Sequence, residues 1–143
     1  MILFCDTSAL IKLYVEEDHS DQMERLADNA SVIAVSRITW VEAMAALSRR
    51  AREQPHDMAE IEGCKQSLRE AWSSFAIIEV NQVLVEAAGE LADAFALRAY
   101  DSVQLASARI MKQRTSEELV FACFDRRLQK AASMLSIESF GLT

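Results

Sequence analysis

The chain has 143 residues, 51% of them hydrophobic and 26% charged, with one proline, three glycines and a formal net charge of −7. That length suits one domain with a sizeable core, and the composition excludes a disordered, collagen-like or low-complexity protein. The acidic balance counts against a protein that holds nucleic acid through its overall field, because phosphate contact shows as a basic surface unless a bound cation reverses the sign locally.

No apolar run approaches the roughly 20 residues of a membrane span, and Met1 to Cys5 is too short, and lacks the basic leader, for a secretory signal core. The expectation is a soluble, cytoplasmic protein without membrane contact. Three cysteines, Cys5, Cys64 and Cys123, lie far apart without a CxxC pair and read as core thiols.

Ile2-Leu3-Phe4-Cys5 reads as a buried strand that ends at Asp6, after which Leu10, Leu13 and Tyr14 follow helical spacing. Asp6, Thr7 or Ser8 caps that helix on one reading, and on another Asp6 is delivered to the rim of a sheet. A second helix is predicted from about Ser20 to Asp28, and Ser31 to Val35 is predicted as a second buried strand. Strand, helix, helix, strand implies a parallel crossover.

The next helix opens around Thr39-Trp40-Val41-Glu42 and is expected to turn Ile38, Val41 and Ala45 inward. Thr39-x-x-Glu42 has capping-box spacing, which leaves Glu42 either a cap or a rim acid. Arg49, Arg50 and Arg52 suit that helix's negative end, and Pro55 breaks the chain. A long amphipathic helix from about Asp57 to Phe75 carries Ile61, Cys64, Leu68, Trp72 and Phe75 on one stripe, a core face that could also serve association.

Ala76 to Val80 is the predicted third strand, and Asn81 caps a helix from Gln82 to Leu97 with Val83, Ala87, Leu91 and Phe95 inward. Gly89 within it suggests a close packing contact. Asp101 opens another helix, in which small Ala106, Ser107 and Ala108 allow a close approach to the sheet. Glu118 to Phe124 is the most apolar strand, ends at Asp125, and leads into a helix from Arg126 to Met134. Ser136 to Phe140 adds a short edge strand.

Four acids therefore share one address. Asp6 and Asp125 follow strands directly, Glu42 lies one short loop beyond a strand, and Asp101 opens a helix, so a parallel sheet with helical crossovers brings them to the rim where ligands bind. Clustered carboxylates repel unless a cation compensates them, and hard Mg²⁺ or Mn²⁺ prefers such oxygens. The implied chemistry is phosphodiester hydrolysis, with a metal-bound water acidified into a nucleophile. His19 and His56 sit in polar stretches, which argues against a histidine acid–base pair, and no Gly-rich phosphate loop or GxSxG elbow occurs.

Phe4-Cys5-Asp6-Thr7-Ser8-Ala9-Leu10, Thr39-Trp40-Val41-Glu42, Arg98-Ala99-Tyr100-Asp101-Ser102-Val103-Gln104-Leu105-Ala106 and Phe124-Asp125-Arg126-Arg127-Leu128 together resemble PIN-domain proteins of the VapC toxin type. The resemblance implies a single PIN-like nuclease domain over 1–143, a three-layer α/β/α sandwich with a mainly parallel sheet of four to five strands. It also implies a Mg²⁺- or Mn²⁺-dependent endoribonuclease acting on RNA as the toxin of a type II pair, held by a VapB-like antitoxin and usually dimeric. By motif, Asp6, Glu42 and Asp101 take the three core acidic positions and Asp125 the fourth. Asp6 and Asp101 are the first choices as metal ligands, Glu42 is ligand or water-orienter, and Asp125 ranks last.

The family often has Thr or Ser two residues before the fourth acid, where this chain has Cys123, so Asp125 is expected to be held less firmly. Ser8 offers a rim hydroxyl or a helix cap, and Arg126 and Arg127 are read as exposed first-turn charges with phosphate contact as the alternative. A non-cleaving PIN-fold module that binds a partner through its helical hairpin is the competing reading. A phosphoaspartate phosphatase is disfavoured because position 8 is Ser, which breaks Asp-x-Asp.

Overall fold

The structure is a computed structural model and describes residues 1–141. Its described strands are β1 (Ile2–Cys5), β2 (Val32–Ser36), β3 (Ala76–Ile78), β4 (Leu119–Ala122) and β5 (Glu138–Phe140). They form one sheet in the order β3-β2-β1-β4-β5, and every pairing is parallel. The helices are α1 (Thr7–Ile11), α2 (Ser20–Asn29), α3 (Thr39–Glu53), α4 (Met58–Ala71), α5 (Gln82–Phe95), α6 (Ala99–Arg114) and α7 (Arg126–Met134). No described helix is long and apolar enough to cross a membrane.

Strand alternation builds the three layers. On β1, Ile2 and Phe4 face a core shared with Leu84, Leu105 and Leu128 of α5, α6 and α7, while Leu3 and Cys5 face a second core with Leu10, Met23, Ala43 and Leu68 of α1 to α4. Both faces of β1 are thus covered, which is why it reads as a continuous apolar run. Phe4 pairs in register with Phe121 of β4, and their rings meet edge to face at 5.7 Å, worth about 1 kcal/mol beyond the area they bury. Leu47, Ala51 and Ile61 make a smaller core between α3 and α4.

Two helix faces differ from expectation. Val41 is 60% exposed and Ala45 is also exposed, whereas Ala43, Leu47 and Ala51 are buried. In α5, Val83 is 72% exposed and Leu84 and Ala88 turn inward, while Leu91 is buried and Phe95 packs on the core as expected. Both helices carry alanine and valine around much of their circumference, so two phases about 100° apart satisfy the pattern equally and tertiary contact chooses. Gly89 is exposed, and a Cβ there would meet nothing within 4 Å, so it marks no close contact.

The other caps and ends follow local chemistry. Asn81 accepts from the Leu84 amide at 3.0 Å, and α5 stops where Ala96 adopts a left-handed conformation (φ 54°). Helix α6 begins two residues before Asp101, with no side-chain cap, so Asp101 lies inside the first turn and does not open the helix. Its Ser102, Ala106, Ser107 and Ala108 are buried, as expected of a helix drawn close to the sheet.

Candidate active site

The carboxyl end of β1 delivers Asp6, whose amide donates to the Ala122 carbonyl on β4 at 3.1 Å. Its Oδ1 accepts from the Ala9 amide at 2.9 Å and from Ser8 Oγ at 2.7 Å. Asp6 is therefore the helix cap and a rim acid at once, and Ser8 is the rim hydroxyl. Only 6% exposed, its carboxyl is pushed up to about 7, chiefly by burial. The Ala9 and Ser8 bonds oppose that shift, while the charges of Asp101 and Glu42 reinforce it.

Glu42 stands in the first turn of α3, half-buried, and the capping box does not form, because no side chain caps that helix. Thr7 Oγ1 donates to Glu42 Oε1 at 2.8 Å, and Gln104 Nε2 donates to the same oxygen at 2.8 Å. Thr39, the other end of the expected box, accepts from Gln104 Nε2 at 2.8 Å. Asp101 is half-buried, and burial raises its carboxyl, helped by Asp125 and Glu42 and opposed by Arg98. Asp125 is exposed and caps α7, its Oδ1 accepting from the Leu128 amide at 2.9 Å.

All four acids line one cleft of about 1010 Å³, together with Thr7, Ser8, Gln104, Arg98 and Tyr100. Neither histidine lines it; His19 stacks on Phe124 at 5.2 Å between ring centroids, and His56 is exposed. Arg126 and Arg127 are exposed, and Arg127 Nη1 donates to the Ala96 carbonyl at 3.2 Å. Cys123 is fully buried, and burial pushes its thiol up, while the Asp125 side chain is held by the Leu128 amide. Thr7 and Gln104 belong to the site although sequence spacing had not singled them out. The one available signal was a glutamine on a helix otherwise rich in small and apolar residues, a type rarely buried without a partner.

Among the described residues, no three carboxylate, imidazole or thiol groups already close on a single ion position. Asp6, Glu42 and Asp125 each commit one oxygen to internal donors, and the other oxygen of each accepts no hydrogen bond among the described residues. Four carboxylates around one cleft, two of them raised in pKa by burial and by one another, are a donor set suited to a hard divalent cation.

An all-parallel sheet with acids gathered beyond its carboxyl edge, between helical layers, defines the PIN-type α/β/α class. The PIN domain model matches residues 3–134, and the chain belongs to that family. Within it, the chain is 32% identical to ribonuclease VapC45 of Mycobacterium tuberculosis (strain CDC 1551 / Oshkosh) over 131 residues, which cover 92% of this chain and 89% of that protein. Among solved structures, a toxin–antitoxin complex from Klebsiella pneumoniae is 26% identical with a TM-score of 0.63, covering 93% of this chain and 91% of that one. FitAcB from Neisseria gonorrhoeae superposes with a TM-score of 0.70 at 16% identity, over 99% of this chain and 97% of that one, a likeness of fold.

Proposed function

We propose that the chain is a divalent-metal-dependent endoribonuclease and the toxin of a VapBC-type pair. Its relatives are named VapC ribonucleases, and a solved relative is a toxin–antitoxin complex, which supports RNA as substrate and a VapB-like antitoxin as partner. The observation that carries the chemistry is the convergence of Asp6, Glu42, Asp101 and Asp125 on one cleft. Asp6 and Asp101 would hold Mg²⁺ or Mn²⁺, with Glu42 as ligand or water-orienter and Asp125 as the outermost acid. When bound, such an ion acidifies an attacking water and neutralises charge gathering on the scissile phosphate. The protein's part is to aim the carboxylates: Ser8 and the Ala9 amide hold Asp6, and the Leu128 amide holds Asp125. A homodimer is the assembly proposed for it, on the resemblance to VapC proteins.

Asp6→Asn is the deciding experiment, because asparagine caps a helix about as well as aspartate. The variant should fold, lose Mn²⁺ affinity in a calorimetric titration, and lose RNA cleavage. If it bound Mn²⁺ and cut RNA like the parent, the site assignment would fail. A parent that cut no RNA with either ion would favour the non-cleaving partner-binding module.

A further inference from the structure

Both ends of the expected Thr39-x-x-Glu42 box turn to a third side chain, Gln104 of α6, which is 2% exposed. Its Nε2 lies 2.8 Å from Thr39 Oγ1, 2.8 Å from Glu42 Oε1 and 3.3 Å from Thr7 Oγ1. An amide nitrogen has two hydrogens, so the short bonds to Thr39 and Glu42 occupy it and the contact with Thr7 is a shared one. Thr7 Oγ1 in turn donates to the same Glu42 oxygen. Charge sets the orientation of the amide: turned over, it would press a carbonyl oxygen against the Glu42 carboxylate.

That orientation leaves Gln104 Oε1 buried without a partner, the only such side-chain atom among the described residues. A side chain kept for packing alone would not carry this penalty, since methionine fills a similar volume with no amide to satisfy. The N–H end reaches three side-chain oxygens that an apolar residue of similar volume would leave without it. It joins α6 to α3 and, with Thr7 of α1, holds one oxygen of a glutamate whose long side chain would otherwise sample many rotamers.

We propose that Gln104 is a positioning residue that pins Glu42 Oε1, so that Oε2 is held ready for the ion or water in the acidic cleft. This rests on the metal-nuclease reading, and it concerns how Glu42 is aimed. Holding a ligand in its working rotamer beforehand removes an ordering cost at the moment of binding.

The test is a calorimetric Mn²⁺ titration with RNA cleavage kinetics on the full chain, comparing the parent, Gln104→Met, Glu42→Gln and the double variant. Gln104→Met should keep the parent's circular dichroism, bind Mn²⁺ about 10-fold more weakly, and lower kcat more than KM. In the Glu42→Gln background, Gln104→Met should produce no further loss, because the atom that Gln104 aims, Oε2, has become an amide nitrogen that cannot hold a cation. Parent-like Mn²⁺ affinity in Gln104→Met, or an equal loss in both backgrounds, would overturn the proposal. Should Gln104→Met fail to fold, Gln104→Leu removes the same donor with a smaller side chain. It should weaken Mn²⁺ binding in the parent and not in Glu42→Gln; the same loss in both, or none in either, overturns the proposal. A parent that binds no Mn²⁺ overturns the metal reading, and the inference with it.

Discussion

Asp6 and Asp125 occupy the same local grammar, yet the molecule treats them differently. Each follows a strand, each caps the next helix, and each accepts from the amide three residues on at 2.9 Å. Asp6 nevertheless sits at the end of the central strand with helices over both faces and is 6% exposed, while Asp125 lies at the open lip of the cleft. Asp6 also faces the charges of Asp101 and Glu42 and gains a second bond, from Ser8. Capping is thus a property of the junction, whereas desolvation is a property of depth, and the buried acid stands to gain most from a cation.

The largest contrast is expected in cleavage. Asp6→Asn should cut RNA more than about 100-fold more slowly than the parent, and Asp125→Asn about 10-fold more slowly, in single-turnover assays with Mg²⁺ or Mn²⁺. Equal losses would break the distinction between a deep acid and an outer one.

Stability of the metal-free chain should separate the two acids next. Asp6 has a folded pKa of about 7 against an ordinary 3.8, so the folded state binds the proton more tightly. Its contribution to stability is greatest below pH 4, falls as pH rises from about 4 to about 7, and stays lost above that. The full difference is roughly 4 kcal/mol. In urea unfolding, Asp6→Asn should be more stable than the parent at pH 8 and should lose that advantage near pH 4. Asp125→Asn, at the exposed lip, should stay within about 0.5 kcal/mol of the parent at pH 8.

Alanine tests the feature the two acids share. Asp125→Ala should cost about 1 kcal/mol of stability by removing the α7 cap, whereas Asp125→Asn should not. The smallest effect concerns Cys123: because the Asp125 side chain is held by the Leu128 amide, Cys123→Ser should leave cleavage at the parent's rate. A clear gain in rate would show instead that the thiol weakens the fourth acidic position.

Strands and junctions were legible in the sequence because their signals are local. Apolar runs that stop at Asp6 and Asp125, an Asn before a helix, and a proline between helices each carry their own physics, and all mark helix boundaries here. That four acids line one cleft follows from the topology, since a parallel sheet places every strand's carboxyl end on one edge. The inward faces of α3 and α5 were not legible in full, because their alanine-rich surfaces allow more than one phase.

What the sequence determined by itself is the α/β order and the acids that stand at the starts of helices, both written in contiguous residues. Tertiary structure alone decided that Asp6 is deep and Asp125 shallow, and that Thr39 and Glu42 turn from each other to Gln104. Those outcomes depend on desolvation and on hydrogen bonds between three helices, α1, α3 and α6, that meet only when the sheet has brought them together.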